Sequence, residues 1–352
     1  MAQWGPPGRK LLAAGPPAPS AAPEATGLAA GAIMRPAELT AAAPAKINLA
    51  LRVGPRRSDG YHPLNSLFHA VDLVERVTVG VVAAGTGLAG RADAFARVGC
   101  DELAVTGPQA EAVPLDQSNL ACRAAALLRR RFGPLEPVRL SIVKSIPVAG
   151  GLAGGSADAA AALVALNAWW DLGLSPARLV ELAAELGSDV PFAVLGGNAV
   201  GHGRGEDLRP LAAVDSFEWV LVTSPAGLST PEVFARFDAL EGARNLTEPP
   251  AIPAELLAGV AGGDAGRVGA SLVNDLQPAA FWLRPELADV VAGALDAGAR
   301  GAVVSGAGPT VACLAGSAPE AEALRSALAD CYPAARILRA TGSVGGAAVL
   351  AG

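Results

Sequence analysis

From residue 45 to residue 53 the chain reads AKINLALRV, polar and apolar positions alternating with a period of two. That period predicts a β-strand with one buried face, and it puts Lys46, Asn48 and Arg52 together on the other. Ser58-Asp59-Gly60 is a turn signal. After it, residues 64–81 form a second strand-like run, with Asp72 and Glu75-Arg76 marking a bend. The period then lengthens: Leu120, Ala124, Leu127 and Leu128 recur at helical spacing within 118–132, and Gly133 supplies the stop. Ser175-Pro176 offers an N-cap and an N1 proline for a helix carrying Leu179, Leu182, Ala183 and Leu186, closed by Gly187. Beyond residue 210, positions 219–224 read as a strand and 285–297 as a helix. Positions 302–305 and 310–314 read as two strands around a glycine-rich loop. Strands, turns and helices alternate irregularly, without an internal repeat, which predicts an α+β fold.

Residues 1–40 differ from all of this. Pro-Pro and Gly-Pro breakers interrupt every apolar run, so this stretch is expected to be a disordered tail, with Met1 and Met34 as alternative starts of translation. The remainder divides near residue 210 into expected domains at 41–209 and 210–346. With 27 Lys and Arg against 33 Asp and Glu, the net charge of −6 argues against nucleic acid as the main partner. No uninterrupted apolar run approaches the roughly 20 residues of a membrane span. Four cysteines without a CxxC pair, and three histidines, exclude a zinc-ligand spacing and a disulfide scaffold. The expectation is a cytoplasmic protein with no obligate protein partner.

Three places carry candidate chemistry. The stretch from Pro147 through Gly150, Gly151, Gly154, Gly155 and Ser156 to Asp158 runs into an Ala-rich helical segment. Glycines let backbone N–H groups approach an anion, and Ser156 is placed to cap a helix whose positive end favours phosphate. Neither common nucleotide motif matches, however, and the same glycines could serve close packing alone. Asp189 follows a helix stop and precedes the apolar Val190-Pro191-Phe192, so it is either a partly buried carboxylate needing a cationic partner or a simple capping residue. Tyr61-His62 follows a turn, where an aromatic ring could stack on a base or merely pack. Two further glycine loops, 201–205 and 305–309, read as hairpin turns, and the first is given no role.

Taken together and in this order, these motifs resemble the GHMP kinase superfamily. Pro44-Ala45-Lys46-Ile47-Asn48-Leu49 with Asp59-Gly60-Tyr61-His62 is similar to the branch acting on a cytidine diphosphate-linked methylerythritol. Asn119-Leu120, Pro147 to Asp158, Leu186 to Pro191, Thr230-Pro231, Asn274-Asp275-Leu276 and Ser305 to Gly308 extend the likeness to residues 43–314. The resemblance implies a two-domain GHMP kinase fold, with a ribosomal protein S5 domain 2-like N-terminal domain and a ferredoxin-like C-terminal domain. It implies ATP and Mg2+ as cofactors and phosphorylation of a 2-hydroxyl in non-mevalonate isoprenoid synthesis. By the same resemblance Asp189 takes the hydroxyl proton, and Lys46 holds Asp189 ionised and stabilises the transferring phosphoryl group. Pro147, Gly150, Gly151, Leu152, Ala153, Gly154, Gly155, Ser156 and Ala157 line the ATP phosphates, with Asn119 and Lys144 near the adenine. Tyr61 stacks on the cytosine, His62 bonds its edge, and Asn48 and Thr230 line the substrate pocket. No metal ligand can be named. Ala153 departs from a common glycine, and Ala157-Asp158 stands where the family often has Ser-Asn, which sets an extra carboxylate near a triphosphate. The rivals are a kinase of the homoserine or mevalonate type and a non-catalytic ligand sensor.

Overall fold

A computed structural model of the chain describes residues 37–82, 94–240 and 246–351. Most of the expected tail, Met34 included, lies outside them. The first element nevertheless starts within the stretch assigned to the tail, at Glu38.

In chain order the elements are β1 (Glu38–Val53), β2 (Leu64–Val81), β3 (Ala94–Val98), β4 (Asp101–Thr106), α1 (Leu120–Phe132), β5 (Val138–Val143), α2 (Gly154–Trp169), α3 (Pro176–Ala183) and α4 (Val190–Leu195). The hairpin β6 (Asn198–His202) and β7 (Asp207–Pro210) follows. Then come β8 (Phe217–Thr223), α5 (Thr230–Ala239), α6 (Ala254–Gly262), α7 (Ala265–Ser271), β9 (Val273–Asn274), α8 (Gln277–Leu283) and α9 (Glu286–Asp296). The last are β10 (Gly301–Val304), β11 (Val311–Ala315), α10 (Ala318–Cys331), β12 (Arg336–Gly342) and β13 (Ala348–Val349).

The bend expected at Asp72 is a β-bulge. Pro44 pairs with Val74 but Ala45 with Val71, so Asp72 and Leu73 are extra residues on β2. The single buried face expected for β1 is not what forms. Residues 43–51 are buried throughout, because β1 pairs with β2, β9 and β13 and is covered by α2. Lys46 and Asn48 are therefore buried polar groups that need partners. Nearly all sides of α2 are buried as well, which its run of alanines permits by close approach.

β8, α9, β10, β11, α10 and β12 form a split βαβ unit with spatial order β12-β8-β11-β10, all neighbours antiparallel, the ferredoxin-like arrangement. Alternation along its strands separates two cores. Val220, Val222, Val311 and Cys313 pack with α9 and α10, whereas Trp219, Leu221, Ala312 and Leu314 join the core that holds β1 and α2. His69 of β2 pins this junction. Its Nδ1 faces Asn198 Oδ1 at 2.6 Å, and its Nε2 accepts from Trp219 Nε1 at 3.1 Å. Only the neutral ring satisfies both partners, and burial pushes its pKa down to about 4. Among the described residues no helix is long and apolar enough to cross a membrane.

Candidate active site

A cleft of about 830 Å3 receives side chains from β1, the glycine loop, the start of α4, the 54–63 turn and the first turns of α5. Strand alternation brings Lys46 and Asn48 to it. Lys46 Nζ donates to Asn48 Oδ1 at 2.7 Å. Asn48 Nδ2 donates to Ser66 Oγ at 2.7 Å, and Ser66 Oγ donates to the Ala50 carbonyl at 3.0 Å. This chain of bonds orients the Asn48 amide, so its oxygen holds the ammonium. Asp189 Oδ2 lies 3.6 Å from Nζ, close enough for charge pairing but too far for a strong hydrogen bond. Asp189 occupies the N-cap position of α4 without making a capping bond. Its carboxylate is thus not consumed by the helix, and a third of it faces the cleft solvent.

The glycine loop passes over this pair, and the Lys46 amide donates to the Leu152 carbonyl at 3.2 Å. Gly151 has φ +79°, and a Cβ there would run into the Ser305 carbonyl, so only glycine fits. That contact shows what the 305–309 loop does. Thr310 N bonds Gly150 O at 3.2 Å, Ser305 Oγ bonds Gly151 O at 3.1 Å, and Asn274 Nδ2 holds the carbonyls of Val304 and Gly306. The second glycine loop is a buttress for the first, more than a hairpin turn. The helix begins at Gly154, two residues before the expected cap Ser156, because Ala153 takes a left-handed turn at φ 59°. No side chain caps the first turn. Its N–H groups are free for an anion, which fits a nucleotide phosphate.

Lys144, expected near an adenine, sits in the cleft wall with its ammonium turned inward. Nζ lies 2.6 Å from Glu75 Oε1 and 2.7 Å from Asp158 Oδ2, all three residues being buried. Glu75 also accepts from the amides of Ser145 and Ile146, at the entry to the glycine loop. One ammonium cannot neutralise two carboxylates in a dry site. Burial, opposed by Lys144 and reinforced by Glu75, pushes Asp158 up to about 7, and burial raises Glu75 too. Burial by itself would lower Lys144, but the two carboxylates raise it. The extra carboxylate at 158 is therefore answered by Lys144, though its Oδ1 has no hydrogen-bond partner.

Tyr61 stands 53% exposed at the cleft wall, with the Arg204 guanidinium 3.7 Å from its ring centroid. His62 is buried beside Phe234, ring centroids 5.3 Å apart. Its Nδ1 lies 2.8 Å from the Gly54 carbonyl and its Nε2 3.3 Å from Asp238 Oδ1. Both ring nitrogens are engaged, so a base edge bonding Nε2 has Asp238 to displace.

Comparison with known proteins places this geometry. The GHMP kinases N terminal domain model matches residues 119–197, and the GHMP kinases C terminal model matches 254–334. The 4-diphosphocytidyl-2-C-methyl-D-erythritol kinase of Thermobifida fusca is 50% identical over 318 residues, 90% of this chain and 99% of that protein. The chain belongs to this kinase family, within the GHMP kinases. The Streptomyces coelicolor member is 46% identical over 89% of this chain and 99% of its own length. A crystal structure of 4-(cytidine 5'-diphospho)-2C-methyl-D-erythritol kinase superposes with TM-score 0.67 at 33% identity, covering 87% of this chain and all of that one. A homoserine kinase from Cytophaga hutchinsonii, at 19% identity and TM-score 0.66 over 90% of this chain and 98% of its own, shares the fold.

Of the residues expected from the sequence, Lys46, Asn48, Tyr61, His62, Asn119, Lys144, Pro147, Gly150, Gly151, Ala153, Gly154, Gly155, Ser156, Asp189 and Thr230 all line this kinase's cleft. Leu152 and Ala157 do not, their side chains being core. Asn119 uses its side chain as the N-cap of α1 and on the Pro114 carbonyl, at 3.0 and 2.9 Å. The sequence reading missed Phe234 and Asp238, one turn apart on α5, and gave Arg204 no role. A Phe and an Asp on an amphipathic helix look like any other, and only the approach of α5 to the 54–63 turn gives them meaning.

Proposed function

We propose that this kinase transfers the γ-phosphoryl group of ATP to the 2-hydroxyl of 4-diphosphocytidyl-2-C-methyl-D-erythritol. The observation that carries the reading is a Lys46–Asp189 pair at 3.6 Å in the same cleft as a glycine loop and an aromatic wall of Tyr61, His62 and Phe234. Asp189 accepts the hydroxyl proton or orients the hydroxyl, and Lys46, steadied by Asn48, offsets negative charge on the transferring group. Phosphoryl transfer needs little beyond positioning and charge neutralisation. Bound ATP supplies the phosphoryl group, cradled by the loop amides and the first turn of α2. Among the described residues no three acidic, His or Cys side chains converge on a metal position, and Asp158 and Glu75 are committed to Lys144. Mg2+, which phosphate and water oxygens ligate readily, would therefore come with the nucleotide. Residues 41–209 carry Lys46, Asp189 and the loop, and residues 210–346 carry Thr230 and Phe234.

The test is ADP release from Mg-ATP with the cytidine compound, homoserine or mevalonate offered in parallel. Turnover confined to the cytidine compound is expected. Turnover with another alcohol would overturn the base-binding role of the aromatic wall, and silence from protein that still binds ATP would favour a ligand sensor.

A further inference from the structure

The hairpin joining β6 to β7 carries His202-Gly203-Arg204-Gly205, a motif the reaction above leaves without a use. Its backbone is built into the base side of the cleft. The Gly203 carbonyl accepts from Leu64 N at 2.7 Å, immediately after the Tyr61-His62 turn, and His202 Nδ1 lies 2.8 Å from Asn65 Oδ1. Gly205 has φ +110°, and a Cβ there would press on the Phe68 ring. The amide of Arg204 donates to Glu206 Oε2 at 2.7 Å. Arg204 thus projects from a braced turn.

Its guanidinium covers one face of Tyr61 at 3.7 Å. Asp59 joins the two residues: Oδ1 accepts from Tyr61 N at 3.0 Å, while Oδ2 lies 3.8 Å from Arg204 and 3.2 Å from Arg57. A tyrosine left 53% exposed would otherwise sample several rotamers, and a ligand stacking on it would have to freeze them. Resting on the reading that Tyr61 takes a nucleobase, we infer that Arg204 is a positioning residue that pre-sets the Tyr61 ring, backing one face so that the other is presented to the pyrimidine. Cation–π contact with a planar guanidinium, which also stacks, favours arginine over lysine for the task.

The alternative is that Arg204 acts as a charge on the ligand's diphosphate, and the two separate cleanly. Cytidine, which carries no phosphate, and CDP are titrated calorimetrically into the native protein, Tyr61→Ala, Arg204→Ala and the double variant. The expected result is that Arg204→Ala weakens both ligands by the same factor, about threefold to tenfold, and that this loss vanishes when Tyr61 is already alanine. Arg204→Lys should recover only part of it. A loss confined to CDP, a loss that persists in the Tyr61→Ala background, or no loss would each overturn the inference. Tyr61→Ala binding cytidine as tightly as native protein would instead sink the base reading itself, and the inference with it. Folding is not at stake, since the Arg204 side chain is 44% exposed.

Discussion

Two lysines flank the same glycine loop, and they are used in opposite ways. Lys46 meets one carboxylate, at 3.6 Å, in an open cleft, and its other partner is a neutral amide. Lys144 meets two, at 2.6 and 2.7 Å, in a buried site where Glu75 also ties down the backbone of the loop's entry. A loose pair whose carboxylate is a third exposed can exchange partners with a substrate. A tight, buried one cannot without leaving a bare charge in a medium of low dielectric. The difference teaches that a lysine-carboxylate pair beside a phosphate loop is chemistry or scaffolding according to how much of its hydrogen bonding is already spent. Asp189, with no capping bond and no short contact, has its capacity in hand. Asp158 has spent one oxygen on Lys144 and buried the other.

The comparison breaks most sharply at Asp189. Asp189→Asn should lower kcat by about 10² to 10⁴-fold while leaving the KM for ATP and the thermal midpoint close to native. Steady-state kinetics beside a melting curve checks this, and near-native turnover would remove Asp189 from the chemistry. Lys144→Met inverts the pattern. Two buried carboxylates lose their counter-charge, so stability should fall by roughly 3–5 kcal/mol, read as a shift in the urea midpoint. An unchanged midpoint would show the site to be wetter than its burial implies.

A smaller effect distinguishes the two carboxylates on Lys144. Asp158 titrates near 7 in the folded chain against 3.8 for an ordinary aspartate. Between those values the folded state holds a proton that the unfolded state releases, so stability falls as pH rises through this window and stays lost above it. Asp158→Asn, which cannot ionise, should therefore gain roughly 2–3 kcal/mol of stability relative to the native chain between pH 5 and pH 8. Calorimetry at both pH values decides, and a gain independent of pH would assign the effect to packing.

Much of the scaffold was legible along the chain. Gly133 ends α1, Ser175-Pro176 opens α3, and Asp72 marks the bulge, because capping, turn chemistry and side-chain period act over a few residues. Local signals also misplaced things by small amounts. Ser156 looked like the cap of α2, yet the left-handed turn at Ala153 starts the helix two residues earlier. Just upstream of that turn, Gly151 lies against the 305–309 loop, a neighbour from a distant part of the chain that no local pattern announces. The resemblance to GHMP kinases pointed to Lys46, Asp189 and Tyr61 as a working set, and all three line one cleft.

By itself the sequence determined part of the scaffold, namely β1, β2, α1 to α3, β8, α9, β10 and β11, together with the glycine loop and a roster of polar residues able to do chemistry. Only the tertiary structure decided which of them are free to do it. A side chain's availability depends on hydrogen-bond partners and burial contributed by distant strands. Lys46 and Lys144 read alike as letters, and they part company because Asn48 and Asp189 surround the one while Glu75 and Asp158 enclose the other.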